Sequence, residues 1–504
     1  MTEKVPIRRL PTGVPGLDAV LGGGLPEFSF NLIAGAPGSG KTTLAQQIMF
    51  ALARPDQPAL FFTVLGEPPL KMLRYQQQFE FFDVAKVNGS VRFTNLAQEA
   101  RDGGLDKVLE SIVQQVEAAS PAIVIVDSFR SVIHTAKQQS GRMDLQAFVQ
   151  ELGMRLTGWQ ATTILVGDFL LAETEEHPIF TVADGILWLY QSIDRNSMVR
   201  KMQVMKMRGQ APSPGLHTFR ITEHGVHVFP RLIGPPEPAA GGTGGVRRHE
   251  SRLSVGVARL DEMLGGGIPF GYSVLVAGPS GSGKTVLANQ FINEGVRGGE
   301  PGVIAIFEKR PSYAQATAIK LDAPARDSLV AIIHTRPLDL SIDETLHELA
   351  DAIHRLKARR VVIDSLSGFE LALAPTFRED FRESLYRMVA GLTGMGVTVM
   401  MTAELEDRYT DLRFSPYGTA FLTDAIILQR YTEIEGQLKR VMAVVKVRAS
   451  AHSKEFRWYE ITADGIVVGE RAGDYQALLT GSPHLGSSAK RRPRRPRDAR
   501  RPRS

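Results

Sequence analysis

An α/β fold written twice is what this sequence predicts: two tandem domains, each a mostly parallel sheet flanked by helices, with added antiparallel strands. Three observations carry that expectation. Landmarks recur along the 504 residues at a constant offset. Short continuous apolar runs alternate with helix-prone stretches, the pattern of parallel strands covered on both faces. A glycine-rich loop follows the first long apolar run of each copy. A chain of this length also exceeds one ordinary core.

The repeat sets the domain count. Pro11 to Asp18 answers to Ser254 to Asp261, Leu21 to Pro26 to Leu264 to Pro269, and Gly35 to Thr42 to Gly278 to Thr285. Between the copies, Gly234-Pro-Pro-Glu-Pro-Ala-Ala-Gly-Gly-Thr-Gly-Gly245 has too few apolar side chains to bury a core and reads as a linker. The expected domains are 1–233 and 252–475, joined by a linker at 234–251 and followed by a disordered basic tail at 476–504.

In copy one the predicted strands are 31–34, 59–64, 122–126, 162–166 and 185–190. In copy two they are 273–277, 303–307, 360–363, 397–401 and 425–428. Added antiparallel strands are expected at 200–206, 216–221 and 226–229, and at 440–446, 454–461 and 465–468.

Composition excludes several chemistries. There is no cysteine, so disulfides, thiolate zinc sites, iron–sulfur clusters and a cysteine nucleophile are all ruled out. No stretch approaches the ~20 apolar residues of a membrane helix, and the first residues lack the apolar core of a signal peptide. A soluble cytoplasmic protein with no membrane partner is the expectation. The net charge is +5, yet Lys490 to Ser504 alone contribute +8, leaving the body acidic. That Arg/Pro run can touch nucleic acid nonspecifically or serve only as a solubilising tail. It has no aromatic residue on which bases could stack.

The two loops carry the chemistry. Gly35, Ala36, Pro37, Gly38, Ser39, Gly40, Lys41 and Thr42 fit G-x-x-x-x-G-K-[ST]. So do Gly278, Pro279, Ser280, Gly281, Ser282, Gly283, Lys284 and Thr285. Glycines let backbone N–H groups turn onto a phosphate, the lysine reaches the β- and γ-phosphates, and the threonine hydroxyl is a Mg²⁺ ligand. ATP and Mg²⁺ are therefore the expected cofactors. Asp127 and Asp364 each end an apolar run and are the expected second-site carboxylates for Mg²⁺, though such an Asp can also be a mere turn residue.

A group that orients or deprotonates water is also required. Glu67 and Glu308 follow the second predicted strand of each copy and are the candidates, against the plainer reading of solvated strand-end glutamates. Lys206 and Arg208 end one strand, and Lys446 and Arg448 another. Two residues apart in a strand, each pair points to one side. Such a pair can reach a neighbouring subunit's γ-phosphate or simply form a charged sheet edge.

Together these features define a tandem RecA-like P-loop NTPase, and their order resembles the KaiC-like family, named for the double-domain ATPase of the cyanobacterial clock. The resemblance runs from Pro11 to about Gly469. It rests on the repeated Leu-Asp and Leu-Gly-Gly-Gly lead-ins, both P-loops, Ile363-Asp-Ser-Leu-Ser367, the Lys-x-Arg strand ends and Thr423-Asp-Ala-Ile-Ile-Leu428. It implies a homohexamer in two stacked layers with ATP between subunits, the Lys/Arg pairs acting across the interface, signalling protein partners, and a slow ATPase acting as a timing device. A Ser/Thr autokinase and a RecA-type recombinase or helicase are the alternatives. Two departures stand out. The family's paired glutamates are reduced to Gly66-Glu67 and Glu308-Lys309. Where adjacent Ser and Thr phosphoacceptors are implied, this chain has Ala420-Phe421, leaving only Thr419 and Thr423 nearby.

Overall fold

In the computed structural model, the described residues are 7–64, 69–129, 144–174, 177–194, 197–231, 251–307, 328–334, 341–373, 381–405, 422–473, 475–476, 478 and 484–485. Two compact units divide the chain, Met1–Arg231 and Leu232–Ser504. Among the described residues, each holds a mixed sheet of nine strands flanked by helices.

In the first unit the sheet is built from β1 (Phe30–Gly35), β2 (Ala59–Thr63), β3 (Val91–Asn95), β4 (Ile123–Asp127), β5 (Thr162–Asp168), β6 (Gly185–Asp194), β7 (Ser197–Met207), β8 (His217–Thr222) and β9 (Gly225–Phe229). Their order across the sheet is β9-β8-β7-β6-β1-β5-β4-β2-β3. The half from β6 to β3 is parallel; β6 through β9 form an antiparallel extension. Helices α1 (Lys41–Leu52), α2 (Pro69–Gln76), α3 (Ala97–Ala119) and α4 (Leu145–Gly158) connect the strands. β1 and β4 are buried along their whole length because side chains pack on both faces of the sheet. One core lies beneath α3 and α4, the other beneath α1.

The second unit repeats the plan. Its strands are β10 (Ser273–Gly278), β11 (Gly302–Ile306), β12 (Val330–His334), β13 (Arg360–Asp364), β14 (Thr398–Glu404), β15 (Ala425–Ile434), β16 (Gln437–Val447), β17 (Arg457–Thr462) and β18 (Gly465–Arg471). They run β12-β11-β13-β14-β10-β15-β16-β17-β18, the same order strand for strand. α5 (Lys284–Arg297) follows the loop, and α6 (Ile342–Leu356) and α7 (Phe381–Gly394) flank the sheet.

The repeated Leu-Asp lead-ins have a structural cause. Asp18 Oδ1 accepts from the Thr12 backbone N–H and hydroxyl, and Asp261 accepts from Val255 N–H and the Ser254 hydroxyl. Each carboxylate thus ties the entry of its unit to the first short helix.

Two strands differ from the sequence expectation by existing at all. β3 and β12 are edge strands, partly exposed, and β3 carries Arg92, Thr94 and Asn95 among its five residues. An edge strand with one wet face lacks the continuous apolar run that marks the buried ones. β5 and β14 also run further than expected, ending at Asp168 and Glu404 rather than at 166 and 401. The expected linker, apart from Ser251, and nearly all of the tail lie outside the described residues.

Candidate nucleotide site

Each P-loop joins the end of the central strand to the start of a helix. Gly40 takes φ 101°, and Gly283 takes φ 98°, a backbone region L side chains rarely enter. A Cβ at Gly40 would stand 2.5 Å from Ile221 Cδ1, and one at Gly283 2.8 Å from Ile461 Cδ1. Two antiparallel strands, β8 and β17, therefore press on the loops from behind. Neither α1 nor α5 has a side-chain cap at its N-terminus. Its first N–H groups, with the positive end of the helix dipole, face the loop and suit an anion.

Both lysines are held inward, Lys41 buried and Lys284 half-buried. Lys41 Nζ donates to Ala36 O at 2.8 Å, and Lys284 Nζ to Pro279 O at 2.8 Å. Lys41 Nζ also lies 2.6 Å from Asp168 Oδ1. Burial pulls the Lys284 amine down from its ordinary range, opposed by the charges of Glu404 and Asp364.

Asp127 sits beside Thr42, whose Oγ1 donates to its Oδ2 at 2.7 Å. Burial pushes the Asp127 carboxyl up to about 6; the Thr42 hydrogen bond and the Lys41 charge pull against that, and the Asp168 charge adds to it. In the second unit Asp364 accepts from Thr402 Oγ1. Both aspartates precede a cis peptide bond to a serine.

A hydroxyl and a carboxylate brought together at the mouth of an anion cradle are the donor set Mg²⁺ takes, the rest of its shell coming from water and phosphate. Thr42 with Asp127 fits the ion; in the second unit the hydroxyl found on Asp364 is that of Thr402. When bound, the ion would neutralise charge on the β- and γ-phosphates. Among the described residues no group of three or more His, Asp or Glu side chains could hold a metal without phosphate.

Asp168 and Glu404 were missed by sequence reasoning. Both occupy one register position, beside Gly35 and Gly278 respectively. The signal was there: each is the carboxylate that closes the fourth apolar run of its copy.

The Lys-x-Arg pairs lie at the other end of the sheet from their own loop. Lys206 Nζ donates to Thr181 O at 2.9 Å and Phe180 O at 3.3 Å. Arg208 Nη1 pairs with Asp184 at 3.0 Å, and Asp184 accepts the Phe30 N–H at the start of β1. Five residues of strand separate Phe30 from Gly35, ~16 Å at the usual rise. Lys446 Nζ likewise donates to Thr423 O at 2.7 Å, and Arg448 reaches Asp424 at 3.4 Å. Two details bear on how the pairs leave their strands. A register shift between Ile186 and Leu187 leaves Met205 as an extra residue in β7, and both arginines fall just beyond their strands. Glu67, Glu308, Thr419, Ala420 and Phe421 lie outside the described residues. Thr423 is buried.

A family profile described as "ATPase: KaiC" matches residues 10–233 and again 253–473. The chain belongs to the KaiC ATPase family. It is 27% identical to the circadian clock oscillator protein KaiC of Picosynechococcus sp., over 95% of this chain and 92% of that protein. The KaiC of Prochlorococcus marinus gives 27% over 95% and 96%. KaiC 1 of Synechocystis sp. also gives 27%, over 95% and 92%. The ATPase domain thus occurs in tandem here. No helix among the described residues is long and apolar enough to cross a membrane.

Proposed function

We propose that this KaiC-family protein is a slow Mg·ATP hydrolase that acts as a two-layered ring of six copies in signalling or timing. The two domains span 1–233 and 252–475. The observation that carries this reading is the Thr42–Asp127 hydrogen bond beside Lys41, a P-loop and strand-tip carboxylate already in contact. Lys41 and Lys284 bind the β- and γ-phosphates, and Thr42, Asp127, Thr285 and Asp364 hold the ion. Glu67 and Glu308 are the groups assigned to the attacking water.

Assembly follows from where the basic pairs sit. Lys206 and Arg208 are anchored ~16 Å from their own loop, so a γ-phosphate they touch belongs to a neighbouring copy. A ring supplies that neighbour at every site. The arginines remain more than half exposed (61% and 56%) while paired to an aspartate, which keeps them reachable.

Size measurement with and without Mg·ATP, run beside phosphate release, tests both halves. The reading expects nucleotide-dependent assembly to about six copies and steady release. A monomer at all nucleotide concentrations would remove the ring; DNA-dependent turnover would favour a recombinase instead.

A further inference from the structure

Beneath the Thr42–Asp127 contact lies a cavity of about 250 Å³. Thr42, Thr63, Gln46, Gln76 and Asp127 supply its polar lining, with Phe61, Met72, Tyr75 and Phe79 closing the apolar side. Gln46 stands one turn after Thr42 on α1, so both side chains leave the same helix face. Gln76 ends α2.

These two glutamines are the anomaly. Gln46 is 3% exposed and Gln76 2%. The Gln46 amide nitrogen, and both the nitrogen and the oxygen of Gln76, have no hydrogen-bond partner in the protein. A buried amide left unpaired costs about 1–3 kcal/mol, and a leucine or methionine would fill either position without that cost. Polar cavities of this kind hold ordered water when two to four polar partners line them. Here the partners include the ligands assigned to Mg²⁺ and a side-chain type that orients attacking water in other P-loop enzymes.

We propose that Gln46 and Gln76 hold and orient the hydrolytic water of the first domain. This rests on the ATPase reading above. The water enters beside Thr42 and Asp127. Its oxygen forms a bond to the γ-phosphorus as the bond from that phosphorus to the bridging β–γ oxygen breaks. The electron pair leaves on ADP, and a water proton passes to the carboxylate assigned to that water above. The amides take no proton; they fix where the water's oxygen and hydrogens point. In the second domain the position answering to Gln46 is Asn289, one methylene shorter. The device is therefore built into the first domain.

The test uses the full chain carrying Lys284→Ala, which silences the second P-loop. Gln46→Met, Gln76→Met and the double variant are nearly isosteric and remove only the amides. The proposal expects kcat for phosphate release to fall about 10- to 100-fold in the double variant. KM for ATP and the Kd for a fluorescent ADP should stay within about twofold, and thermal stability should hold or rise. Should the double variant not fold, either single variant is to show the same split, with a smaller fall in kcat. Folded variants that keep the parent rate overturn the proposal alone, because amides serving only as packing would leave kcat untouched. Loss of ADP affinity in step with kcat also overturns it. A Lys284→Ala parent that releases no phosphate, together with a wild type that releases none, overturns the ATPase reading and this proposal with it.

Discussion

Lys41 Nζ lies 2.6 Å from Asp168 Oδ1, so a strand-tip carboxylate occupies the amine that the P-loop presents to phosphate. The two groups meet because β5 runs beside β1 in register, Asp168 against Gly35. A bound nucleotide has to draw Lys41 away from this partner, and it brings its own negative charge toward Asp168. Asp168→Asn should therefore tighten ADP binding to the first domain about three- to tenfold, on the order of 1 kcal/mol for a partly exposed pair. Titration of fluorescent ADP into a Lys284→Ala chain reads this directly. Weaker binding would mean that Asp168 supports the site rather than competing for it.

The Asp127 carboxyl sets a pH dependence. With its pKa pushed up to about 6 by burial, the group is a carboxylate above that pH and a neutral acid below it. Mg²⁺ needs the carboxylate. Mg·ATP affinity of the first domain should fall as the pH drops through about 6, and Asp127→Asn should flatten that fall. The linkage to folding has the opposite sign. A raised carboxyl pKa contributes stability below the unfolded value, near 3.8, and loses it as pH rises through 6. Isothermal titration at pH 5.5 and 7.5 reads the first effect, and thermal unfolding at the same two pH values reads the second.

Gly40→Ala should damage the first P-loop. The substitution forces an L side chain into φ 101° and drives its Cβ to 2.5 Å from Ile221 Cδ1. Strain of this kind costs about 1–3 kcal/mol. Denaturant unfolding should show that loss, accompanied by weaker ADP binding. An unchanged midpoint would mean that β8 gives way freely.

The second domain hides a charged cluster where the first is uncharged. Arg360, at the start of β13, is buried and donates to Glu300, Ser254 O and Phe291 O. The matching positions in the first domain are Ile123 and Gln57. Arg360→Ala leaves Glu300 with only Arg359 and opens space, and should cost about 3–5 kcal/mol. Transplanting the first domain's pair, Arg360→Ile with Glu300→Gln, should cost markedly less, since no charge is stranded. Thermal unfolding of the three proteins decides the order; equal losses would contradict it.

How much of this was legible in the sequence depends on the kind of signal. Buried parallel strands such as Ile123–Asp127 announce themselves because both faces are apolar. The P-loops do so because only glycine tolerates Gly40 and Gly283. β3 escaped notice since its exposed face carries Arg92 and Thr94. Asp168 and Glu404 escaped because the expected strands stopped two or three residues early, short of the carboxylate that closes each run. Gln46 and Gln76 were invisible for a different reason. They are 30 residues apart, and nothing local says that one cavity holds both. The Lys-x-Arg pairs were found, but the bulge at Met205, just before the first pair, needs the partner strand to be seen.

Everything proposed for this protein requires both P-loops to grip Mg·ATP and turn it over. The most direct test of that requirement is phosphate release by the wild type, by Lys41→Ala, by Lys284→Ala and by the double variant, each with and without Mg²⁺. Mg²⁺-dependent release is expected from the wild type, with a partial loss in each single variant and a fall of at least about 100-fold in the double variant. Release that is independent of Mg²⁺, or that survives loss of both lysines, would contradict it.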